Sequence, residues 1–156
     1  MYPSSIPAVC DSTAAPESEI RSFFERGRMG CMKSDANVSI EDLKAALKRF
    51  RDQRDWGQFY DPKNLAEAIS IEAAELLELF LWKNPTEIES AIRKDKALLK
   101  EIENQLADVF CFSFNLANAL GLDVSSIVER KIRKNRKKYP VRQSRGIAKK
   151  HTELKR

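Results

Sequence analysis

Capping residues and chain stops divide this 156-residue chain into helix-length segments. Ser39 with Asp42 three residues later has the form of a capping box. It opens a first helix, which Leu43, Leu47 and Phe50 carry on one inner face to about Asp55. Trp56 to Lys63 reads as a loop. Asp61-Pro62 then supplies a cap and a first-turn proline for a second helix ending near Trp82. Asn84-Pro85 with Glu87 restarts a helical segment, with a break expected around Lys94 to Lys96. The long stretch that follows to Leu120 is stopped by Gly121, and Asp123 or Ser125 caps a last helix that Pro140 terminates. Five Gly and six Pro leave little material for a turn-rich β fold. Four principal helices with short connections predict an all-α, antiparallel four-helix-bundle-like domain.

The length suits one domain. Residues 39–141 carry the periodic segments. Residues 1–38, rich in Ser, Pro, Ala and Gly, read as a flexible extension with one short helix near Glu19 to Arg28. Residues 142–156 form a basic tail. Between Glu129 and Arg156 thirteen Lys/Arg face two acids, whereas the preceding residues hold fifteen bases against twenty-one acids. Such asymmetry suits either an arm for nucleic acid or acidic lipid, or a basic element that closes over a polyphosphate held by an acidic body. No apolar stretch has the roughly 18 to 20 residues of a membrane span, and no secretory or organellar leader is visible. Cys10, Cys31 and Cys111 are scattered without metal-ligand spacing, so a reducing, cytoplasmic location is expected, with no membrane partner.

Two polar pairs stand out, Glu72 with Glu75 and Gln105 with Asp108. On a helical wheel centred on Glu72, the residues Leu65, Ala68, Ile69, Glu75, Leu76 and Leu79 fall within about 60°, whereas Glu67 and Glu78 fall about 120° or more away. Glu72 is thus placed in the middle of an apolar face. Two ionised carboxylates about 5 Å apart repel by roughly 3 kcal/mol at an effective dielectric near 20, and a divalent cation removes that cost. On the third long helix Leu98, Ile102, Leu106, Val109, Leu116 and Leu120 form the expected main stripe. Gln105 lies just inside its edge and Asp108 just outside, flanked by Glu101, Asn104 and Asn115. Bringing the two pairs together gives an all-oxygen site suited to magnesium or manganese (Mg2+ or Mn2+), and the lone His151 in the tail argues against zinc. The ordinary alternative is a set of surface acids paired with Lys or Arg.

In the last helix Lys131, Asn135 and Lys138 share a face with Val124 and Ile127 and suit an anion, while Arg133, Lys134 and Arg136 point elsewhere. Trp56 and Trp82 flank the helical cores and can each offer a flat face to a nucleobase or simply pack.

From about Ser39 to Val141, roughly two-thirds of the chain, these motifs resemble the MazG-like all-α nucleoside triphosphate pyrophosphatases, most closely the dCTP pyrophosphatase branch. The matching stretches are Arg54-Asp55-Trp56 with Phe59, Pro62 to Leu65, Glu72-Ala-Ala-Glu75, Phe80-Leu-Trp82-Lys83, Leu106-Ala-Asp108-Val109, and Lys131 through Asn135 to Lys138-Tyr139-Pro140. The resemblance implies an Mg2+-dependent enzyme that cleaves a (d)NTP, dCTP or a related pyrimidine, to the monophosphate and pyrophosphate. It implies Glu72, Glu75 and Asp108 as metal ligands with Gln105 at the fourth position, and Glu75 and Glu72 as catalytic groups. It further implies Lys131, Asn135, Lys138 and Tyr139 as phosphate contacts, Trp56 and Trp82 as a base sandwich, and a homodimer or homotetramer. Two departures matter. Gln105 stands where the family has Glu, so it brings no charge and cannot act as a base, and a weakened catalyst is expected, with Glu101 as a stand-in. Leu47 occupies a position where the dCTP branch can carry a polar base contact. The rival readings are a nucleotide-binding protein with little turnover and a basic helical nucleic-acid module.

Overall fold

A computed structural model describes residues 34–154, and among these the chain is all-helical with no strand. The short helix expected near Glu19 to Arg28 lies outside the described residues, as do Cys10 and Cys31.

Helix α1 (Ile40–Asp52) opens with the expected capping box: Asp42 N donates to Ser39 Oγ at 3.1 Å and Ser39 N donates to Asp42 Oδ2 at 2.9 Å. It stops three residues earlier than its apolar period suggests. Asp55 takes a left-handed conformation (φ 52°), which Asp tolerates better than most residues, and leads into a 3-10 turn at Trp56–Phe59. Helix α2 (Pro62–Glu78) starts as expected, with Asp61 accepting from the amides of Lys63 and Asn64 and Pro62 in the first turn. It ends at Glu78 rather than near Trp82. Phe80 and Leu81 fall back to tight turns on Leu77 and Glu78, Trp82 is left-handed (φ 62°), and Lys83 Nζ donates to the Leu79 carbonyl.

Helix α3 (Pro85–Lys94) carries a second capping box, Asn84 with Glu87. The expected break is a single extended residue, Asp95, whose carboxylate caps α4 (Lys96–Ala119) at Ala97 and Leu98. Gly121 (φ 61°) ends α4. Leu122 N reaches back to Ala117 O at 2.8 Å and Gly121 N to Asn118 O at 3.2 Å, the paired bonds of a Schellman stop. Asp123, not Ser125, caps α5 (Val124–Lys138) by accepting from Ser126 N at 2.7 Å. Beyond Pro140 lie one helical turn, α6 (Val141–Ser144), and a 3-10 turn at His151–Glu153.

The helices α2 and α4 form the principal interface, with α1 and α3 also against α4. Leu65 and Ala68 of α2 share a core with Phe112 of α4, while Glu72 and Glu75, further along α2, act on Asp108, earlier in α4. The two helices are therefore antiparallel. Lys44 anchors α1 to the end of α4: its Nζ donates to Leu122 O, and Asn118 Nδ2 donates to Lys44 O. Helix α5 turns 103° away from α4 and touches the other elements only marginally. Among the described residues no single helix is long and apolar enough to cross a membrane.

The apolar stripe expected on α4 is rotated from its true seam. Leu106 and Leu120 are exposed, whereas Phe112, Asn115 and Ala117 are buried. Apolar side chains lie on several sides of this helix, so the mean direction of its hydrophobicity does not reveal which side α2 occupies.

Candidate active site

The site is a row of four residues on each of two helices. On α2 the row runs Leu65, Ala68, Glu72, Glu75, at steps of three, four and three; on α4 it runs backwards through Asn115, Phe112, Asp108, Gln105 at the same steps. Residues so spaced share one helical face. Antiparallel packing places Leu65, Ala68 and Phe112 together at one end, with Asn115 beside them, and Glu72, Glu75, Asp108 and Gln105 at the other.

At the polar end Glu72 and Asp108 are half-buried and Glu75 is exposed. Burial pushes the Glu72 carboxyl above its ordinary value, and the charges of Asp108 and Glu75 push it the same way. Burial raises Asp108 too, reinforced by Glu75. No lysine or arginine counters either shift, since among the described residues none of these three acids has a cationic partner. Several other helix-surface acids are paired in the ordinary way: Glu67 with Lys63 at 2.8 Å, Glu129 with Arg133 at 2.6 Å, Glu103 with Lys100 at 3.3 Å. The reading of Glu72, Glu75 and Asp108 as ion-paired surface acids is thereby removed.

Gln105 adds a further oxygen. Its Oε1 is buried without a hydrogen-bond partner, a state that costs about 1–3 kcal/mol for a buried amide acceptor. As the side chains lie here, no three His, Cys, Asp or Glu among the described residues stand close enough together to hold a metal ion. The donor chemistry nonetheless fits a hard divalent cation: carboxylate oxygens that repel one another, beside an amide oxygen that lacks a donor. Glu72, Glu75, Asp108 and Gln105 would hold it. Glu101 is exposed on α4 one turn before Gln105.

The other expected site residues are not drawn into this row within one chain. Lys131 and Lys138 are exposed on α5, Asn135 is half-buried, and Tyr139 makes an edge contact with His151 at 5.9 Å between ring centroids. Because α5 leaves α4 at 103°, its basic face is not packed onto the carboxylates. Trp56 joins an aromatic cluster, edge-on to Phe50 at 6.0 Å and stacked on Tyr60 at 6.5 Å, beside Leu65 and Phe112. Trp82 is 98% exposed beyond the other end of α2. Seventeen helical residues separate their attachment points, about 25 Å at 1.5 Å per residue. One chain therefore cannot close both indoles on the same base.

Sequence reasoning missed the far end of the row. Tyr60, Phe112 and Asn115 are buried there, and Asn115 Oδ1 is a second buried oxygen without a partner. The mirrored three-four-three spacing on the two helices was the available signal.

Comparisons with known proteins agree on one family. Residues 68–154 match the MazG-like family. The chain is 37% identical over 140 residues to the dCTP pyrophosphatase 1 of Mus musculus, covering 83% of this chain and 81% of that protein. It is 35% identical over 118 residues to the dCTP pyrophosphatase 1 of Homo sapiens, covering 74% and 68%. The crystal structure of a pyrophosphatase from Archaeoglobus fulgidus superposes with a TM-score of 0.60 at 35% identity, covering 72% of this chain and 99% of that one.

Proposed function

The chain belongs to the MazG-like family, and from that premise we infer that it hydrolyses dCTP or a closely related pyrimidine deoxynucleotide to the monophosphate and pyrophosphate. It is a nucleoside triphosphate pyrophosphohydrolase. The observation that supports phosphoanhydride hydrolysis at this seam is its polar end, three mutually repelling acids without cationic partners on the same helical faces as an orphaned amide oxygen. The choice of base is supported by the likeness to the dCTP pyrophosphatases.

Glu72, Glu75, Asp108 and Gln105 would hold Mg2+, or Mn2+ in its place. When bound, the cation neutralises phosphate charge and makes the α-phosphorus more electrophilic. Glu75, the exposed member of the row, can accept a hydrogen bond from water and so orient it for attack. Glu72 is held by the packing of α2 and fixes the geometry from which Glu75 acts. Lys131, Asn135, Lys138 and Tyr139 supply donors for the leaving pyrophosphate, with the two lysines offsetting its developing charge. For α5 to reach a polyphosphate on the row, it must either swing from its present direction or come from another copy. The protomer leaves Leu106, Phe110, Val128 and Ile132 exposed around a small core, which supports a homodimer or homotetramer. The same assembly would bring Trp56 of one copy and Trp82 of another onto one base.

Gln105 favours a second reading, a protein that binds the nucleotide and turns it over weakly. Both are tested by pyrophosphate release from a nucleotide panel with Mg2+, comparing the chain with Gln105→Glu. The restored carboxylate is expected to raise turnover about tenfold or more, in line with the effect of an added electrostatic contact at a transition state. Equal rates would show that Gln105 does not limit the reaction. Tight dCTP binding by calorimetry without product would select the binder. No release from either protein on any nucleotide, with no binding, would overturn the nucleotide reading.

A further inference from the structure

Asn115 sits inside α4 at 5% exposure, a place where an apolar side chain would pack without leaving a polar atom unpaired. Its orientation is fixed, because Nδ2 donates to the carbonyl of Cys111 at 3.0 Å and the flipped amide would set two oxygens against each other. Oδ1 is therefore the atom turned away from its own helix, and it has no donor. Asn115 lies on the same face as Asp108, seven residues on, which is about 10 Å along the helix. That is the scale on which a nucleotide extends from its α-phosphate to the far edge of a single-ring base. Around this end of the row stand Tyr60, Phe112 and the half-buried Trp56, whose flat apolar faces suit a planar ring.

We infer that Asn115 is a specificity-determining residue, whose Oδ1 accepts a hydrogen bond from the exocyclic amino group of a cytosine base. This rests on the seam being a nucleoside triphosphate site. An acceptor without a donor of its own distinguishes pyrimidines by sign: cytosine presents an amino donor at C4, whereas uracil and thymine present a carbonyl oxygen there. A uracil ring in the same pose sets acceptor against acceptor. For a base to reach Asn115 the 3-10 turn at Trp56–Phe59 must give way; this four-residue element has no side-chain cap and is tied to its surroundings by ring contacts and by Asn64 Nδ2 donating to Phe59 O at 3.2 Å.

The test is the ratio of kcat/KM for dCTP to that for dUTP, measured with Mg2+ on the full chain and on Asn115→Leu, which keeps the volume and removes the acceptor. The full chain is expected to prefer dCTP by at least about tenfold, and the substitution to collapse that ratio by about tenfold or more, the effect of removing one buried hydrogen-bond partner. Circular dichroism checks that the helices remain. Where Asn115→Leu does not fold, Asn115→Ser, smaller and still polar, is measured in its place, with an intermediate ratio expected. A full chain that hydrolyses both nucleotides equally, or a substituted chain that keeps the ratio, overturns the inference while leaving the pyrophosphohydrolase intact. If neither nucleotide is hydrolysed, the same ratio is read from dissociation constants by calorimetry. Preferential dCTP binding lost in Asn115→Leu then supports the inference even as turnover fails, and equal binding overturns it.

Discussion

At one end of the α2–α4 seam Leu65 and Ala68 close on Phe112 beneath Tyr60; one to two turns further along α2, Glu72 faces Asp108 with no Lys or Arg beside either. The helices and the spacing are the same, and the physical states are opposite. At the apolar end, burial removes hydrocarbon from water and stabilises the fold. At the polar end, burial raises the free energy of charges that have no partner, and the fold holds them there because the apolar end carries the packing. One half of the interface supports the other in an arrangement it would not adopt alone, which is how a protein keeps a site ready for a ligand.

The largest effect should come from cutting the supporting half. Phe112→Ala removes the central ring of the core and is expected to destabilise the protein by about 3–5 kcal/mol, read from urea or thermal unfolding. A loss under 1 kcal/mol would mean that the seam is held from elsewhere.

Next in size is the opposite intervention. Glu72→Gln should reduce pyrophosphate release by about a hundredfold while leaving the metal-free protein as stable as before or more so at neutral pH, because a carboxylate that is costly when ionised is replaced by a neutral amide. A substitution that instead lowers both activity and unfolding midpoint would break the contrast between the two ends.

The smallest effect is on pH dependence. Glu72 and Asp108 have folded-state values raised above their ordinary 4.5 and 3.8, so the folded protein binds more protons than the unfolded one in that range. Their contribution to stability is therefore greatest at low pH and is lost as pH rises through the ordinary values towards the raised ones. In metal-free buffer, Glu72→Gln with Asp108→Asn should make the unfolding free energy fall less between about pH 4 and pH 7 than it does in the parent. Mg2+ added at pH 7 should raise the midpoint of the parent and not that of the double variant. Parallel pH profiles would show that these two acids are not strained by the fold.

Much of the fold was legible because its signals are local. Ser39, Asp61, Asn84 and Asp123 bond to amides two or three residues away, and Gly121 supplies a left-handed stop, so none of these needs a distant partner to be recognised. The ends of α1 and α2 were less legible, since the apolar period runs on past Asp52 and Glu78 and the chain stops only where Asp55 and Trp82 turn left-handed. Of the candidate site, Glu72 was readable because its own helix surrounds it with apolar residues. Asp108 was readable only approximately, and Asn115 was noted as a flank of Asp108 without its burial.

The sequence by itself determined that the chain is helical, where its helices begin, and which acids sit on an apolar face, because capping and helical period act within a few residues. Only the tertiary structure decided which side of α4 meets α2, that α5 leaves the bundle at 103°, and that Gln105 and Asn115 are left with buried oxygens unpaired. Those outcomes depend on which surface a neighbouring helix occupies, and α4 is apolar on more than one side.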